Sequence, residues 1–266
     1  MACPMPNPRT LILNLLQAAD GRQLSTREAI DSCALFGISA NSARVTLARL
    51  SAAGLITSAG RAAYCLGPNA TGLAADVATW RSAGQRVLEQ WSGAWIAVHV
   101  GSLSRSDRVA LRARDRALAL LGLRELDRGL FIRPDNLVGG VADARDRLYK
   151  LGLDSEAAVF VAHALDAERE QRARQLWDGQ ALSRGYHDMS ARLDAWLAQA
   201  HDLEPEVAAR ESFLLGNEAI RQLVFDPWLP APLVDTQARQ HFSTRVAAFD
   251  VAGHRIWQQL NQPAPA

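Results

Sequence analysis

The chain has 266 residues, room for about two compact domains at ~150 residues each, and 48% of them are hydrophobic, enough to build proper cores without a staple. Its 29 basic residues nearly balance its 28 acidic ones, so no overall charge announces a nucleic-acid or membrane binder. Cys3, Cys33 and Cys65 lack any C-x-x-C spacing, which argues against a disulfide framework or thiolate zinc site; no apolar run approaches a membrane span, and prolines occupy Met1 to Arg9, so a soluble, cytoplasmic protein is expected.

The first unit runs from about residue 9 to 67. Leu11, Leu15 and Leu16 have helical spacing, and Asp20-Gly21 breaks it. Ser25 followed by Glu28 is a capping-box signature for a second helix, with Ala29, Cys33 and Phe36 on one face and Gly37 at its end. Ser39 is a good N-cap for a third helix, in which Ala43, Leu47 and Leu50 turn inward before Gly54 closes it. Leu55 to Ser58 and Arg61 to Leu66, turned at Ala59-Gly60, read as a short hairpin. Three helices and a hairpin joined in this order make a winged helix-turn-helix pattern.

Val77, Trp80, Val87, Leu88 and Trp91 predict a connecting helix over 76–91. Trp95 to Val100 is apolar on both faces, as a buried central strand would be. A helix over 105–121, strands over 123–126 and 130–133, a helix over 141–150 and a strand over 158–163 complete a βαββαβ order, the ferredoxin-like arrangement. The remainder reads as helices over 166–178, 180–201, 206–225 and 238–260, broken at Glu204-Pro205 and Asp226 to Pro230. Leu182, Tyr186, Met189, Leu193 and Trp196 form an amphipathic stripe within them. The expected fold is therefore α+β and multidomain: a winged helix-turn-helix over 1–70, a connecting helix with a ferredoxin-like domain over 71–164, and a helical C-terminal domain over 165–266.

Charge follows this division. Lys150 is the only lysine, so the basic chemistry is guanidinium, planar and suited to phosphate and carboxylate. Residues 1–70 carry six Arg against three acids and residues 71–150 carry thirteen basic groups against nine acids, which makes the first 150 residues +7; ten Arg against sixteen acids make residues 151–266 −6. A basic front and acidic back point to an anionic partner at one end.

On the third helix, 100° per residue leaves Asn41, Ser42, Arg44, Val45 and Ala48 pointing out. Asn reads adenine bidentately, Arg reads guanine, Ser takes phosphate or base, and Val or Ala meets a thymine methyl. Ser39, Arg49 and Arg61 are placed to hold phosphate. The other reading of this unit is a helical protein-docking module with solvated arginines. Further on, Arg105, Arg108, Arg112 and Arg116 run down one helix face, a like-charge row that costs the helix about 1 kcal/mol in sum. It is a solvated face, a contact for an acidic partner surface, or a site for a polyanion such as a coenzyme A phosphate.

Most tryptophans lie on apolar stripes and read as core. Trp91 and Trp95, flanking a turn near a domain junction, and Trp228, between prolines, are candidates for a small-molecule site together with Arg108 and Arg112. The six histidines show no metal-ligand spacing, and no nucleophile elbow, phosphate-cradling loop or dinucleotide fingerprint is present, so no catalytic residue, metal or cofactor is expected. The rival expectation is a metal-dependent nuclease of ferredoxin-like fold fused to a DNA-docking winged helix, using Asp107, against an ordinary i to i+4 role for that residue. A protein-interaction scaffold is a third.

With these blocks in hand, the chain resembles the PaaX family of bacterial transcriptional regulators. The resemblance is carried by Phe36 to Leu50 with Gly54, by Gly60-Arg61 and Tyr64-Cys65-Leu66, by Trp91-Ser-Gly-Ala-Trp95, by Gly129 to Pro134, by Trp177 and Tyr186, and by Phe225-Asp-Pro-Trp-Leu-Pro230. It implies a homodimeric repressor of a catabolic operon, with the three domains above, the middle one of a type also seen in a CRISPR-associated nuclease. It implies release from a double-stranded DNA operator by a small-molecule effector, an acyl-coenzyme A such as phenylacetyl-coenzyme A in aromatic catabolism.

Overall fold

A computed structural model describes residues 5–18, 23–70, 84, 87–88, 90–101, 103 and 107–260. Most of the predicted 76–91 helix lies outside these residues, as do Cys3, Trp80 and Arg105. Where that segment is described it differs from the expectation: Val87 forms a β-bridge with Leu137, and the Leu88 N–H donates to the Asn136 carbonyl at 2.8 Å, so its end is extended. The fold is mixed α+β with antiparallel sheets. Its contacts divide into two compact units, one of Met1–Trp80, Leu193–Ile220 and Arg245–Ala266, the other of Arg81–Arg192 and Arg221–Thr244.

In the first unit α1 (Pro8–Ala18), α2 (Thr26–Ala34) and α3 (Ala40–Ala52) pack with a three-stranded sheet of order β1-β3-β2, from β1 (Leu24–Ser25), β2 (Ile56–Ser58) and β3 (Ala63–Leu66). The capping box is present: the Glu28 N–H donates to Ser25 Oγ at 3.1 Å and the Ser25 N–H to Glu28 Oε2 at 2.7 Å. β1 escapes the sequence reading because two residues carry no periodicity, and its Ser25 is at once strand and cap.

Gly54 shows what ends α3. Its φ of +66° permits the left-handed turn in which the Leu55 N–H returns to the Leu50 carbonyl at 3.0 Å, and its own carbonyl then accepts from the Asn69 N–H at 3.0 Å. The hairpin is thereby tied to the end of the helix. Leu11, Ile12, Leu16, Ala29, Cys33, Phe36, Ala43, Leu47, Leu50 and Ile56 form the core, against which Phe213, Leu214 and Trp257 of the C-terminal helices pack. Phe213 stands edge-on to Phe36, ring centroids 5.2 Å apart. The core of the first seventy residues is therefore completed by side chains more than a hundred residues away in sequence.

In the second unit β4 (Trp95–His99), α4 (Arg108–Leu120), β5 (Arg124–Asp127), β6 (Leu130–Pro134), α5 (Gly140–Lys150) and β7 (Ala158–Ala162) follow the expected βαββαβ order. The sheet order is β5-β6-β4-β7, every neighbouring pair antiparallel. Central β4 buries both faces. Ile96 and Val98 join Ala117, Leu118 and Leu121 of the α4 end and Ala144 and Leu148 of α5 in one apolar cluster. Trp95 faces the other way, since successive strand side chains alternate.

The helical remainder comprises α6 (Ala167–Arg174), α7 (Gly179–Gln199), α8 (Pro205–Val224) and α9 (Thr236–Leu260). The predicted 166–178 helix stops at Arg174, because Asp178 starts the next one by accepting the Ala181 N–H at 2.8 Å. Tyr186, Met189, Leu193 and Trp196 of the predicted stripe are buried. No described helix is long and apolar enough to cross a membrane.

Candidate functional site

The outward face of α3 is set by its inward one. Ala43, Leu47 and Leu50 are buried, which leaves Asn41, Arg44, Val45, Ala48 and Arg49 exposed and Ser42 half-buried. Val45, 39% exposed, is an apolar side chain kept in water beside the exposed Asn41 and Arg44. Ser39 accepts the Ser42 N–H at 3.2 Å, so its hydroxyl hydrogen remains available to an anion beside the helix N-terminus. Arg61 is exposed at the hairpin tip, which is fixed by the Ala59 N–H donating to Ala63 at 2.9 Å and the Thr26 N–H donating to Ala62 at 2.8 Å. Arg44, Arg49 and Arg61 form no ion pair with a described residue. Ser39, Asn41, Ser42, Arg44, Val45, Arg49 and Arg61 are thus brought together on one unit.

Of the candidate effector residues, Trp91 and Trp95 are in contact, while Arg108 and Arg112 lie elsewhere. Trp91 stands edge-on to Trp95 at 4.9 Å, and Trp95 stacks on Trp177 at 6.3 Å with rings 4° from parallel. Their N–H groups are satisfied, Trp91 by the Ala94 carbonyl at 2.6 Å and Trp95 by Glu170 at 2.9 Å, and Arg174 caps the Trp91 ring at 5.1 Å. Trp95 is 1% exposed and is core. Arg108 and Arg112 are exposed on α4, which covers the opposite face of the sheet from Trp95. Asp107 turns out to be the N-cap of α4, its Oδ1 accepting the Val109 and Ala110 N–H groups at 2.8 and 3.2 Å, rather than an i to i+4 partner. Among the described residues no group of three His, Cys, Asp or Glu side chains could hold a metal ion.

Around Trp228 lies a buried polar network that sequence reading missed. Asp226, 5% exposed, accepts from the Tyr186 hydroxyl and from the Trp228 N–H at 2.6 Å. Arg239 lies 3.9 Å from Asp226, donates to the Leu229 carbonyl at 2.6 Å, and sits 5.1 Å from the centre of the Trp228 ring. The Trp228 carbonyl accepts from the Asn136 side-chain amide, 0% exposed, whose Oδ1 accepts from Arg133 at 2.9 Å; Arg133 also donates to the Leu121 carbonyl. Burial pushes the Asp226 carboxyl up despite Tyr186 and Arg239, pushes the Tyr186 hydroxyl up, and pulls Arg133 down to about 10. The one signal in the sequence was Asp226 to Pro230, whose two prolines prevent regular structure and leave backbone groups for side chains to satisfy.

Residues 177–259 match the family model described as PaaX-like protein C-terminal domain. The chain carries a PaaX-like C-terminal domain. That domain contributes Trp177, Tyr186, Asp226, Trp228 and Arg239 to the clusters above, and its presence is consistent with a transcriptional regulator of phenylacetate catabolism. Beyond the PaaX-like domain, the whole fold is similar to that of an uncharacterized protein, Rv0674, from Mycobacterium tuberculosis, at 22% identity and a TM-score of 0.66, covering 96% of this chain and 99% of that one. None of the curated proteins compared with the chain matches it.

Gly122 joins the PaaX-like domain to the sheet. Its carbonyl accepts from the Trp177 indole at 3.2 Å, and its Cα side lies against Pro227, where an added Cβ would come 2.9 Å from the Pro227 Cα. Its φ is +72°. Gly122→Ala is expected to lower unfolding stability by at least about 1–2 kcal/mol from the left-handed backbone alone, with the clash added. Urea denaturation followed by tryptophan fluorescence measures it, and an unchanged midpoint would refute the close approach.

Proposed function

We propose that the protein is a sequence-specific DNA-binding transcriptional regulator, acting as a homodimeric repressor whose reading head is a winged helix-turn-helix within residues 1–70. The observation that carries this reading is the exposed face of α3, with Asn41, Arg44 and Val45 turned to solvent by the buried positions Ala43, Leu47 and Leu50. Asn41, Ser42, Arg44 and Val45 face bases; Ser39, Arg49 and Arg61 hold phosphate. Two such heads in a dimer call for an inverted-repeat operator with half-sites about 34 Å apart, or a multiple. The βαββαβ order supports a ferredoxin-like middle domain over 71–164, with helices over 165–266.

The proposed effector is an acyl-coenzyme A thioester such as phenylacetyl-coenzyme A, supported by the PaaX-like domain; the partly exposed rings of Trp91 and Trp228 are its candidate contacts. It releases DNA only if it binds the DNA-free arrangement more tightly than the DNA-bound one. The test is gel retardation of the promoter of its own operon with magnesium present. A salt-sensitive retarded band that the thioester abolishes, with the DNA intact, is expected. Cleavage lost in Asp107→Ala would replace the regulator by a nuclease, and no retardation at low salt would end the DNA-binding reading.

A further inference from the structure

Arg108, Arg112 and Arg116 occupy one face of α4 at four-residue intervals, all exposed and none hydrogen-bonded or ion-paired through its side chain to a described residue. At about 100° per residue they fall within an arc of about 80°. The buried residues Arg114, Ala117, Leu118 and Leu121 fall nearly opposite, against the sheet. The arginine face is therefore the one the fold turns fully outward. We propose that this row is a second, sequence-independent DNA contact, holding the phosphate backbone of duplex DNA. The inference rests on the DNA-binding reading above and extends it to the second unit.

Four observations favour this occupant. Like charges at i and i+4 oppose the helix that carries them, and neither nearby carboxylate is engaged with the row: Asp107 accepts two backbone N–H groups, and Asp115 forms no ion pair with a described residue. The three lie in a line along an exposed helix face, which suits a long polyanion better than one small ligand. Their spacing, about 6 Å along the axis, places one guanidinium for every one or two phosphates of a strand that advances about 3.4 Å per phosphate. The acidic C-terminal segment offers no complementary row: Asp166, Glu170, Asp194 and Asp226 already pair with Arg169, Arg174, Arg245 and Arg239, and no described helix repeats three carboxylates at four-residue steps.

The experiment is the salt dependence of binding to sheared duplex DNA by the full chain, its Arg108→Gln/Arg112→Gln/Arg116→Gln variant and the corresponding triple Arg→Lys variant. In the glutamine variant the slope of log K against log salt is expected to become shallower by about 0.9 per arginine removed, with the melting temperature retained. The lysine variant keeps the charge and restores the slope, which a purely structural role would not do. A glutamine variant with the wild-type slope overturns the inference while leaving the α3 reading intact; the same slope with a changed oligomeric state by light scattering overturns it in favour of a protein contact. A wild-type chain that binds no duplex at low salt overturns both.

Discussion

Asp226→Ala is expected to cost about 3–5 kcal/mol of unfolding free energy, because it leaves a buried cation without its counter-charge. Arg239 is 6% exposed and would keep neutral partners alone, among them the Leu229 carbonyl, the face of Trp228 and Tyr186; the Trp228 N–H and the Tyr186 hydroxyl would lose their acceptor at the same time. Tyr186→Phe removes a single donor and should cost less, about 1 kcal/mol. A double variant, Asp226→Leu with Arg239→Met, should recover much of the loss, since an apolar pair replaces a charge pair without stranding either partner. Urea denaturation of the four proteins measures the series. Asp226→Ala within 1 kcal/mol of wild type, on the scale of an exposed pair, would show that the network carries no stability.

The same residue sets a pH dependence of definite sign. Burial holds the Asp226 carboxyl above its ordinary 3.8, so as pH rises through that value the unfolded chain loses its proton first. The unfolded state then binds fewer protons than the native state, and stability falls with rising pH until the native carboxyl ionises as well. Relative to Asp226→Asn, which cannot titrate, the wild type should lose stability as pH is raised above about 3.8. Asp127 acts in the opposite direction: Arg172 and Arg169 hold its carboxyl down, so its contribution is present above 3.8 and is lost as the pH drops further. Asp127 is solvent-exposed at a sheet edge, and salt screens it; the Asp226 effect persists in high salt and is separable on that ground.

What could be read from sequence divides by the range of the interaction. The Ser25–Glu28 box, the Ser39 cap and the inward set Ala43, Leu47 and Leu50 are local, since each partner lies within a turn or two of the other; the expected geometry is the observed one. The βαββαβ order was legible because period changes at each boundary, and β4 announced its position by being apolar on both faces. Arg133, Asn136 and Arg239 carried no such signal. In sequence they are ordinary surface residues, and they are buried because their donors meet carbonyls and carboxylates elsewhere in the chain, Asn136 to Trp228 being 92 positions apart. Trp95 failed as a ligand contact for a related reason: a tryptophan beginning a central strand packs first against what lies beneath the sheet, here Trp177 and Glu170. Segregated charge was readable by counting. Which carboxylates remain free was not, since that depends on pairs such as Asp194 with Arg245, 51 residues apart.

Arg44→Ala and Asn41→Ala should each cost about 1–3 kcal/mol of discrimination at one operator position, the worth of a bidentate base contact. The double variant should lose up to some ten-thousandfold of its preference for operator over random duplex, at the top of that range and if the two contacts add. Arg61→Ala is expected to behave differently. A phosphate contact carries no sequence information, so its loss weakens all duplexes alike and makes the salt slope shallower by about one. Neither change should disturb the fold, because Asn41, Arg44 and Arg61 are exposed and their guanidiniums and amide support no described residue. Competition binding of operator against sheared DNA at several salt concentrations separates the two behaviours. If Arg44→Ala lowered affinity for every duplex equally, α3 would lie on the backbone and not in the groove, and base reading would have to be sought on another element.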